Sequence, residues 1–221
     1  MPSAIIIGAS RGLGLGLTRE LLGRGWDVVA TRRGDAPELD ASGAVVHVLD
    51  MDDTSAVTAL AASLAGRQFD HVLLNAGVTG PRHALATKAT PDEVSALMWT
   101  NAIAPIRAAR VLLPLVKDGG SIGFMSSILG SIALRGHAHA ELYSASKAAL
   151  NSLTRGFAVQ DVAARPVTVL SLHPGWVKTD MGGDGADIDV ATSVAGLADV
   201  IAGATGGGHH YLDYTGKTLP W

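Results

Sequence analysis

Tyr143 and Lys147 stand four positions apart at the start of an alanine-rich segment that is predicted to be helical. Residues at this spacing lie on the same face of a helix, with their Cβ atoms about 6 Å apart. The lysine ammonium can then favour the phenolate form of the tyrosine, which makes the hydroxyl a usable acid near neutral pH. The same spacing is common on helix surfaces without any chemical role, so the pair needs partners elsewhere in the chain.

Two serines and an asparagine follow segments that are predicted to be strands. Ser126 and Ser127 come directly after Ser121–Met125, and Asn75-Ala76-Gly77 follows His71–Leu74. Open parallel sheets place their ligand-facing side chains at the carboxyl ends of the strands. Because side chains alternate along a strand, the two serine hydroxyls are expected to point to opposite faces, so only one of them can serve a site.

A glycine-rich segment, Gly8-Ala9-Ser10-Arg11-Gly12-Leu13-Gly14, separates the first predicted strand from the first predicted helix. Glycines at such a junction allow a tight turn and a close approach of the main chain to a pyrophosphate, which free N–H groups at the helix N-terminus can bind. The spacing G-x-x-x-G-x-G differs from the more familiar G-x-G-x-x-G. An ordinary strand-to-helix turn also needs glycine, so this segment alone leaves both interpretations open.

Short apolar segments rich in β-branched residues alternate with longer segments rich in alanine and leucine. The predicted strands are Ala4–Ile7, Val28–Thr31, Val45–Leu49, His71–Leu74, Ser121–Met125 and Val167–Leu172. The predicted helices include Leu13–Leu22, Thr54–Ala65, Pro91–Val116 and Leu142–Ala163. Near-continuous apolar strands that alternate with helices are typical of a parallel sheet covered on both faces. No linker or shift in composition divides the chain, so we expect one domain over residues 1–221.

The composition excludes several classes of protein. The chain has 221 residues, a net charge of −3 and no cysteine, which excludes disulfide frameworks, thiolate metal sites and cysteine nucleophiles. A pI of about 6.2 argues against a general nucleic-acid binder. Every apolar run is broken well before the roughly 18 residues of a membrane span. We interpret Ala4–Ile7 as a strand and not as a signal peptide, and we expect a cytoplasmic protein.

Taken in order, these motifs resemble the short-chain dehydrogenase/reductase family over nearly the whole sequence. The matching features are the glycine motif at Gly8–Gly14, Asp50, Asn75-Ala76-Gly77, Asn101, Ser127, Tyr143-x-x-x-Lys147 and Pro174-Gly175. Within the family the chain is most similar to the C-factor and sniffer-like carbonyl reductases, on the segments Met125–Ile132, Ser146–Asn151 and Leu212–Trp221. The resemblance implies an α/β fold with a single Rossmann-type, doubly wound parallel sheet of about seven strands and helices on both faces.

The resemblance assigns catalytic roles to four residues. Tyr143 would protonate the substrate carbonyl as hydride arrives from the nicotinamide, and its phenolate would take the proton in the reverse direction. Lys147 would hold the nicotinamide ribose and favour that phenolate, and Asn101 would hold a water beside the lysine in a proton relay. Ser127 would orient the substrate oxygen. The interval from Ser127 to Tyr143 is longer than in much of the family and matches the sniffer-like branch, and Ser126 stays an alternative.

The charges after the second strand indicate NADP(H). Relatives that prefer NAD carry an acidic residue there, whereas Val28–Thr31 runs into Arg32-Arg33. A guanidinium suits a 2′-phosphate because its donor fork binds two oxygens at once. Arg11 resembles a second basic residue of NADP(H)-dependent members; Arg33 is the predicted main contact, and a solvated turn is the alternative. The predicted cofactor-binding residues are Gly8, Ser10, Arg11, Gly12, Leu13, Gly14, Arg32, Arg33, Asp50, Met51, Asn75, Ala76, Gly77, Tyr143, Lys147, Pro174, Gly175, Val177 and Thr179.

Two further groups of residues have open interpretations. Trp176 and Met181 are expected either to line the substrate pocket or to pack in the core, and the short glycine-rich segment after Met181 indicates an open site. His137, His139 and Glu141 would share one side of an extended segment, as metal ligands can. The family has no metal there, so we expect a solvated or rim position for them and no metal site.

We therefore predict an NADP(H)-dependent oxidoreductase that transfers a hydride between nicotinamide and an aldehyde, ketone or quinone, without nucleic-acid or membrane partners. The alternative is an NADP(H)-binding signalling or regulatory protein with little turnover, since the C-factor branch includes a protein implicated in developmental signalling. The intact set of four catalytic residues favours the enzyme. Relatives commonly pair through two long helices, here Pro91–Val116 and Leu142–Ala163, so a homodimer or homotetramer is expected.

Overall fold

The computed structural model describes residues 1–136 and 139–221. Its strands are β1 (Ser3–Ile7), β2 (Asp27–Arg32), β3 (Val45–Val48), β4 (Phe69–Leu74), β5 (Val116–Met125), β6 (Thr168–His173) and β7 (His209–Asp213). They form one sheet in the order β3-β2-β1-β4-β5-β6-β7, in which neighbouring strands are parallel throughout. The prediction of a parallel sheet of about seven strands is confirmed.

The helices connect these strands and are mostly short. They are α1 (Gly12–Gly23), α2 (Pro37–Asp40), α3 (Thr54–Ser63), α4 (Pro91–Met98), α5 (Ala104–Leu112), α6 (Glu141–Phe157) and α7 (Val190–Ala202). Two π-helical turns, Trp99–Ile103 and Ala158–Val162, follow α4 and α6. Among the described helices, none combines the length and the apolar character needed to cross a bilayer.

The sheet separates two hydrophobic cores, and β1 shows how one strand supplies both. Ile5 and Ile7 pack with residues of α3, α5 and α6, whereas Ala4 and Ile6 pack with residues of α1 and α7. This division follows from the alternation of side chains along a strand. Each fully buried isoleucine contributes roughly 1.5–3 kcal/mol through removal of its side chain from water. Helices therefore cover both faces of the sheet, as the doubly wound fold requires.

The prediction of one helix over Pro91–Val116 is wrong, because the segment divides into α4, a π-helical turn and α5. Pro105 has no N–H, and in a continuous α-helix its ring would clash with the Asn101 carbonyl. The chain widens instead: the Ala104 N–H donates to the Trp99 carbonyl, five residues back. After α5 a 3₁₀ turn ends the helical segment, and Val116 already begins β5.

All of the predicted site motifs meet at one edge of the sheet. Because the strands are parallel, their carboxyl ends face the same way. Gly8 follows β1, Arg33 follows β2, Asn75 follows β4, Ser126 follows β5 and Pro174 follows β6. The α6 helix begins close to this edge and carries the predicted tyrosine and lysine.

Candidate active site

Tyr143 lies in the first turn of α6 and keeps its proton at neutral pH. Burial raises the pKa of its hydroxyl to about 12, an interaction with the Ser127 side chain opposes that increase, and the nearby Tyr211 adds to it. The Ser146 hydroxyl donates to the Tyr143 carbonyl at 2.7 Å. The phenol is therefore protonated at neutral pH and lies beside the Ser127 side chain, but Lys147 is not among the groups that shift its pKa, so the predicted lowering of this pKa by Lys147 does not appear.

Lys147 is almost completely buried beneath Tyr143, with 3% of its surface exposed. Its Nζ lies 5.7 Å from the centre of the Tyr143 ring and donates to the Met125 carbonyl at 2.8 Å. Burial lowers the pKa of Lys147 to about 8. A side chain at Gly77 would place its Cβ 3.3 Å from this Nζ. The glycine after β4 therefore leaves room for the lysine.

Asn101 is buried in the π-helical turn that Pro105 enforces. Its Nδ2 donates to the Val78 carbonyl at 2.8 Å and to the Ser146 hydroxyl at 3.0 Å, and its Oδ1 accepts from the Val78 N–H at 2.8 Å. The amide thus joins the chain after β4 to the face of α6 that carries Ser146. It lies next to Lys147, since a Cβ at Gly77 would be 3.3 Å from both Asn101 Oδ1 and Lys147 Nζ.

The two serines after β5 have different partners. The Ser126 hydroxyl is buried and donates to Asn151 Oδ1 at 2.7 Å. The Ser127 side chain instead acts on Tyr143, and its Oγ also accepts from the Leu129 N–H at 3.2 Å. The different partners of the two side chains agree with the alternation expected along the strand. Ser127 is the serine that the structure brings to Tyr143.

The glycine segment packs tightly against the chain after β4. Gly8 has a φ of +88°, and a Cβ there would lie 2.8 Å from Ala76. A Cβ at Gly14 would lie 2.2 Å from the Gly8 carbonyl oxygen. That same oxygen accepts a hydrogen bond from Asn75 Nδ2 at 2.6 Å. Glycine is therefore required for the packing of this turn, which brings the main chain to the edge where a ligand can approach.

The N-terminus of α1 follows the glycine segment and, in the described part of the chain, has no side-chain cap, a property that it shares with α2, α5 and α6. Asp53 caps α3, Thr90 caps α4 and Asp189 caps α7 through side-chain hydrogen bonds. Among the described residues no side chain caps α1, where Arg11 occupies the N-cap position. Uncapped N–H groups at a helix N-terminus, together with the helix dipole, bind anions. The donor set at α1 fits a pyrophosphate.

The three arginines predicted to meet a 2′-phosphate lie in different surroundings. Arg32 donates to Asp40 at 2.8 Å and to the Gly34 carbonyl at 3.1 Å. The Arg33 side chain is 73% exposed, with one nitrogen 3.8 Å from an Asp50 carboxylate oxygen. Arg11 forms an exposed ion pair with an aspartate of the chain after β6, Asp180, at 2.6 Å. Of the three arginines, Arg33 is therefore the least constrained by its neighbours.

The chain after β6 completes the cleft opposite the glycine segment. Thr179 approaches Gly12, whose Cβ would lie 3.6 Å from the threonine methyl group. The Thr179 hydroxyl accepts from the Gly182 N–H at 3.1 Å, which folds this segment into a turn. Trp176 and Met181 are 54% and 49% exposed, so the alternative that they belong to the core is wrong.

The comparisons with known proteins agree with this geometry. The family model for short chain dehydrogenases matches residues 2–187. This chain belongs to the short-chain dehydrogenase family. A family member from Burkholderia multivorans, solved with bound NADP, is 40% identical to this short-chain dehydrogenase and superimposes with a TM-score of 0.95, covering 100% of this chain and 99% of that one.

Two further relatives indicate the branch of the family to which this short-chain dehydrogenase is similar. The carbonyl reductase Sniffer of Drosophila melanogaster is 32% identical with a TM-score of 0.90, and each chain is covered completely, at 100%. C-signal of Myxococcus xanthus is 35% identical over 166 residues, which is 74% of this chain and 99% of that protein. The predicted family and its C-factor and sniffer-like branch are confirmed, and the NADP in the Burkholderia structure agrees with the predicted NADP(H) cofactor.

Three residues of this dehydrogenase enter the site without having been predicted. Asn151 holds Ser126 and ends the Ser146–Asn151 segment that resembles the sniffer-like branch, so a signal for it was present. Asp180 binds the arginine at the N-cap of α1 from 169 positions away. Tyr211, in β7, donates from its hydroxyl to the Ser127 carbonyl at 2.5 Å. Neither of the last two has a local pattern that would reveal it.

The structure describes only part of the segment that contains His137, His139 and Glu141. His137 lies outside the described residues, so the predicted position of the set with His139 and Glu141 stays a prediction. Glu141 accepts a hydrogen bond from the Ala86 N–H at 2.9 Å, which joins the start of α6 to the chain after β4. In the described part of the chain, no group of three or more His, Asp or Glu side chains could hold a metal ion.

Proposed function

We propose that this short-chain dehydrogenase uses NADPH to reduce the carbonyl group of an aldehyde, ketone or quinone, with Tyr143 as the general acid. The observation that carries the proposal is the convergence of three groups. The Ser127 side chain interacts with the Tyr143 hydroxyl, and the buried Lys147 Nζ lies 5.7 Å from the centre of the tyrosine ring. A protein that only binds a nucleotide needs no such proton donor.

The residues at the cofactor side fit NADPH. The uncapped N-terminus of α1 and the glycine segment would hold the pyrophosphate. Arg33 would hold the 2′-phosphate, joined by Arg11 once that residue exchanges Asp180 for the phosphate. By family resemblance, Thr179 and the Val177 main chain would hold the nicotinamide carboxamide. NADPH supplies the hydride when it is bound.

Tyr143 and Ser127 supply the acid chemistry. Ser127 donates to the carbonyl oxygen and orients it toward the phenol. As a hydride adds to the carbonyl carbon, the Tyr143 O–H bond breaks and its proton passes to the oxygen, so the product is an alcohol. Because the pKa of Tyr143 is raised to about 12, the phenol is protonated at neutral pH, and its phenolate has to be stabilised by neighbouring groups for the proton to leave.

Lys147 and Asn101 prepare the tyrosine for the next turnover. The Lys147 ammonium stabilises the phenolate that remains after proton transfer, because opposite charges at short distance favour the charged form. With a pKa lowered to about 8, Lys147 can also pass a proton to that phenolate and regain one from solvent. Asn101 holds the lysine side of the pocket through its hydrogen bonds to Val78 and Ser146.

A second candidate function is nucleotide binding for signalling or regulation, with little turnover. The observation in its favour is the 35% identity to C-signal. NADPH binding alone would not separate the two functions, because both require it. Turnover separates them, since only the enzyme needs Tyr143, Ser127 and Lys147 together.

The test is NADPH oxidation with a panel of aldehydes, ketones and quinones, followed by Tyr143→Phe on the best substrate. General acid catalysis typically contributes about 10²–10⁴ in rate, so we expect a loss in that range. NADPH affinity and melting temperature should stay close to those of the wild type, because the substitution removes one oxygen atom. Tyr214→Phe, which makes the same change at a half-buried tyrosine in the turn after β7, is the matched control.

Wild-type turnover in the Tyr143→Phe variant would show that this tyrosine is not the acid. NADPH binding without turnover on any member of the panel would favour the signalling candidate.

A further inference from the structure

Tyr211 connects the last strand to the main chain of the catalytic serine. Its side chain is 1% exposed, and its hydroxyl donates to the Ser127 carbonyl at 2.5 Å across 84 positions of sequence. The Ser127 carbonyl also accepts the Gly130 N–H at 2.8 Å. Both hydrogen bonds act on the peptide unit that follows the Ser127 Cα, so they fix the direction in which the Ser127 side chain leaves the main chain.

The surroundings of this hydroxyl are polar and already ordered. Burial raises the pKa of Tyr211 to about 12, and interactions with Asn151 and Ser126 oppose that increase. Asn151 binds Ser126 through Oδ1 and donates from Nδ2 to the Gly130 carbonyl at 3.3 Å. Tyr211 is thus the member of this network that comes from β7, whereas Asn151 comes from α6.

Trp221 strengthens the same connection. Its ring stacks on Tyr211 with centroids 5.0 Å apart and an angle of 27° between the ring planes. The Arg155 guanidinium lies 5.0 Å from the centroid of the Trp221 ring, and the Trp221 carbonyl accepts from the Ala133 N–H at 3.0 Å. The segment from Tyr211 to Trp221 therefore contacts the chain after β5 at two points, one at Ser127 and one at Ala133.

A phenylalanine at position 211 would keep the stacking and the packing but not the contact with Ser127. A hydroxyl that is buried without a partner costs free energy, so the Tyr211 oxygen has to bind a group of the protein. The group that it binds is the main chain of the residue whose side chain acts on Tyr143. Loss of the Tyr211 hydroxyl should therefore change mainly the position of the Ser127 side chain relative to Tyr143, the proposed acid.

We propose that Tyr211 is a positioning residue: its hydroxyl holds the Ser127 main chain so that the Ser127 side chain meets both Tyr143 and the substrate oxygen. This inference rests on the proposed reductase function. It predicts a role for β7 in catalysis, although β7 itself contributes no group that touches the reacting atoms.

The first test is Tyr211→Phe, with Tyr214→Phe as the matched control. In the described part of the chain, the Tyr214 hydroxyl has no hydrogen bond, and its ring packs against Gly175 and Gly196. We expect the Tyr211→Phe variant to lose about tenfold in kcat, the size of effect that one net hydrogen bond supports, with KM and NADPH affinity little changed. The control variant should keep the wild-type kcat.

The second test asks whether Tyr211 acts through Ser127. The Tyr211→Phe change is repeated in a Ser127→Ala background, where the serine hydroxyl is already missing. Residues that act on the same interaction are not additive, so we expect no further loss there. The same tenfold loss in both backgrounds would overturn the proposal and show that Tyr211 only supports the structure.

The third test needs no turnover. Hydrogen exchange should become faster in residues 128–134 of the Tyr211→Phe variant and stay unchanged in β1 and β4, because the lost bond is local to the chain after β5. Unchanged exchange in residues 128–134 would overturn the proposal. Absence of turnover in the wild type would instead overturn the reductase function, while the exchange result would still decide whether Tyr211 holds this segment.

Discussion

The cofactor side and the reaction side of the cleft differ in how they are built. The cofactor side consists of main chain at close distance: glycines at positions 8 and 14 lie where a Cβ would be 2.8 Å or less from Ala76 or from the Gly8 carbonyl. The proposed reaction side consists of side chains that reach across elements, such as Lys147 from α6 to Met125 and Tyr211 from β7 to Ser127.

The two sides also differ in how they accommodate left-handed backbone. On the cofactor side, positive φ angles occur at glycines, namely Gly8 at +88° and Gly12 at +54°. Near the reaction side, the described residues with this conformation include two alanines, Ala84 at 55° and Ala140 at 56°. The cofactor side therefore depends on main-chain packing at Gly8 and Gly14, whereas the reaction side depends on polar side-chain atoms as well as on such packing at Gly130.

The largest effect on cofactor binding is expected from Gly14→Ala on the cofactor side. The added Cβ would lie 2.2 Å from the Gly8 carbonyl oxygen, so the main chain has to shift. Overpacking against backbone costs about 3 kcal/mol or more, which corresponds to a loss of about 100-fold in NADPH affinity if the shift falls on the binding conformation. Calorimetric titration and thermal unfolding measure the two quantities.

Gly23→Ala is the matched control in the same helix, because a Cβ there meets nothing within 4 Å. This variant should bind NADPH normally and be as stable as the wild type or slightly more stable. Wild-type NADPH affinity in the Gly14→Ala variant would contradict the steric account of the glycine segment.

The next effect is expected from Ser127→Ala on the reaction side. Removal of one hydrogen-bond donor at a developing oxyanion costs about 100-fold in kcat. Ser126→Ala should reduce kcat less than Ser127→Ala does, because the Ser126 hydroxyl already donates a hydrogen bond to Asn151. Steady-state kinetics of both variants decide the order, and a larger loss at Ser126 would move the assignment to that residue.

A smaller effect is expected at the arginines, and it should depend on the cofactor. Arg33→Ala should weaken NADPH binding by roughly 10- to 100-fold and leave NADH nearly unchanged, because hydrogen bonds to a charged group contribute about 1.5–3 kcal/mol each. Arg32→Ala should cost less, as Arg32 already binds Asp40. Dissociation constants for both cofactors test this, and the preference for NADPH should decrease as salt increases.

Equal affinity of the wild type for NADH and NADPH would overturn the assignment of the whole arginine group. A larger loss of NADPH affinity in Arg32→Ala than in Arg33→Ala would only move the main phosphate contact from Arg33 to Arg32.

The smallest effect is expected from Ala140→Gly. A left-handed conformation costs a residue other than glycine roughly 1 kcal/mol, which the substitution relieves, while the greater freedom of glycine in the unfolded chain offsets part of the gain. The free energy of unfolding should therefore change by less than about 1 kcal/mol. Ala145→Gly, at an exposed position inside α6, should destabilise by about 1 kcal/mol. Urea titrations measure the free energy of unfolding of both variants. Equal destabilisation by Ala140→Gly and Ala145→Gly would contradict backbone strain at Ala140.

The sequence permits prediction of those parts of the fold that depend on local pattern. The β-branched segments located the six predicted strands to within a few residues, because buried parallel strands are apolar on both faces. The division of Pro91–Val116 was missed although Pro105 marks it, since a π-helical turn depends on how the chain avoids one carbonyl. The site differs in the same way: Tyr143 and Lys147 share a helix, whereas Tyr211 meets Ser127 through the pairing of β6 with β7.

The order of strands in the sheet has a consequence for how the molecule folds. Strand β1 pairs with the central strand β4, and the Gly8 carbonyl meets Asn75 across 67 positions of sequence, so these contacts join distant parts of the chain. Pairings between distant parts of a chain carry a large loop-closure entropy, and parallel sheets that depend on them fold slowly. The glycine turn depends on this pairing, since the Gly8 carbonyl accepts from Asn75. A ligand that binds this turn only in the folded chain would by mass action stabilise the entire sheet.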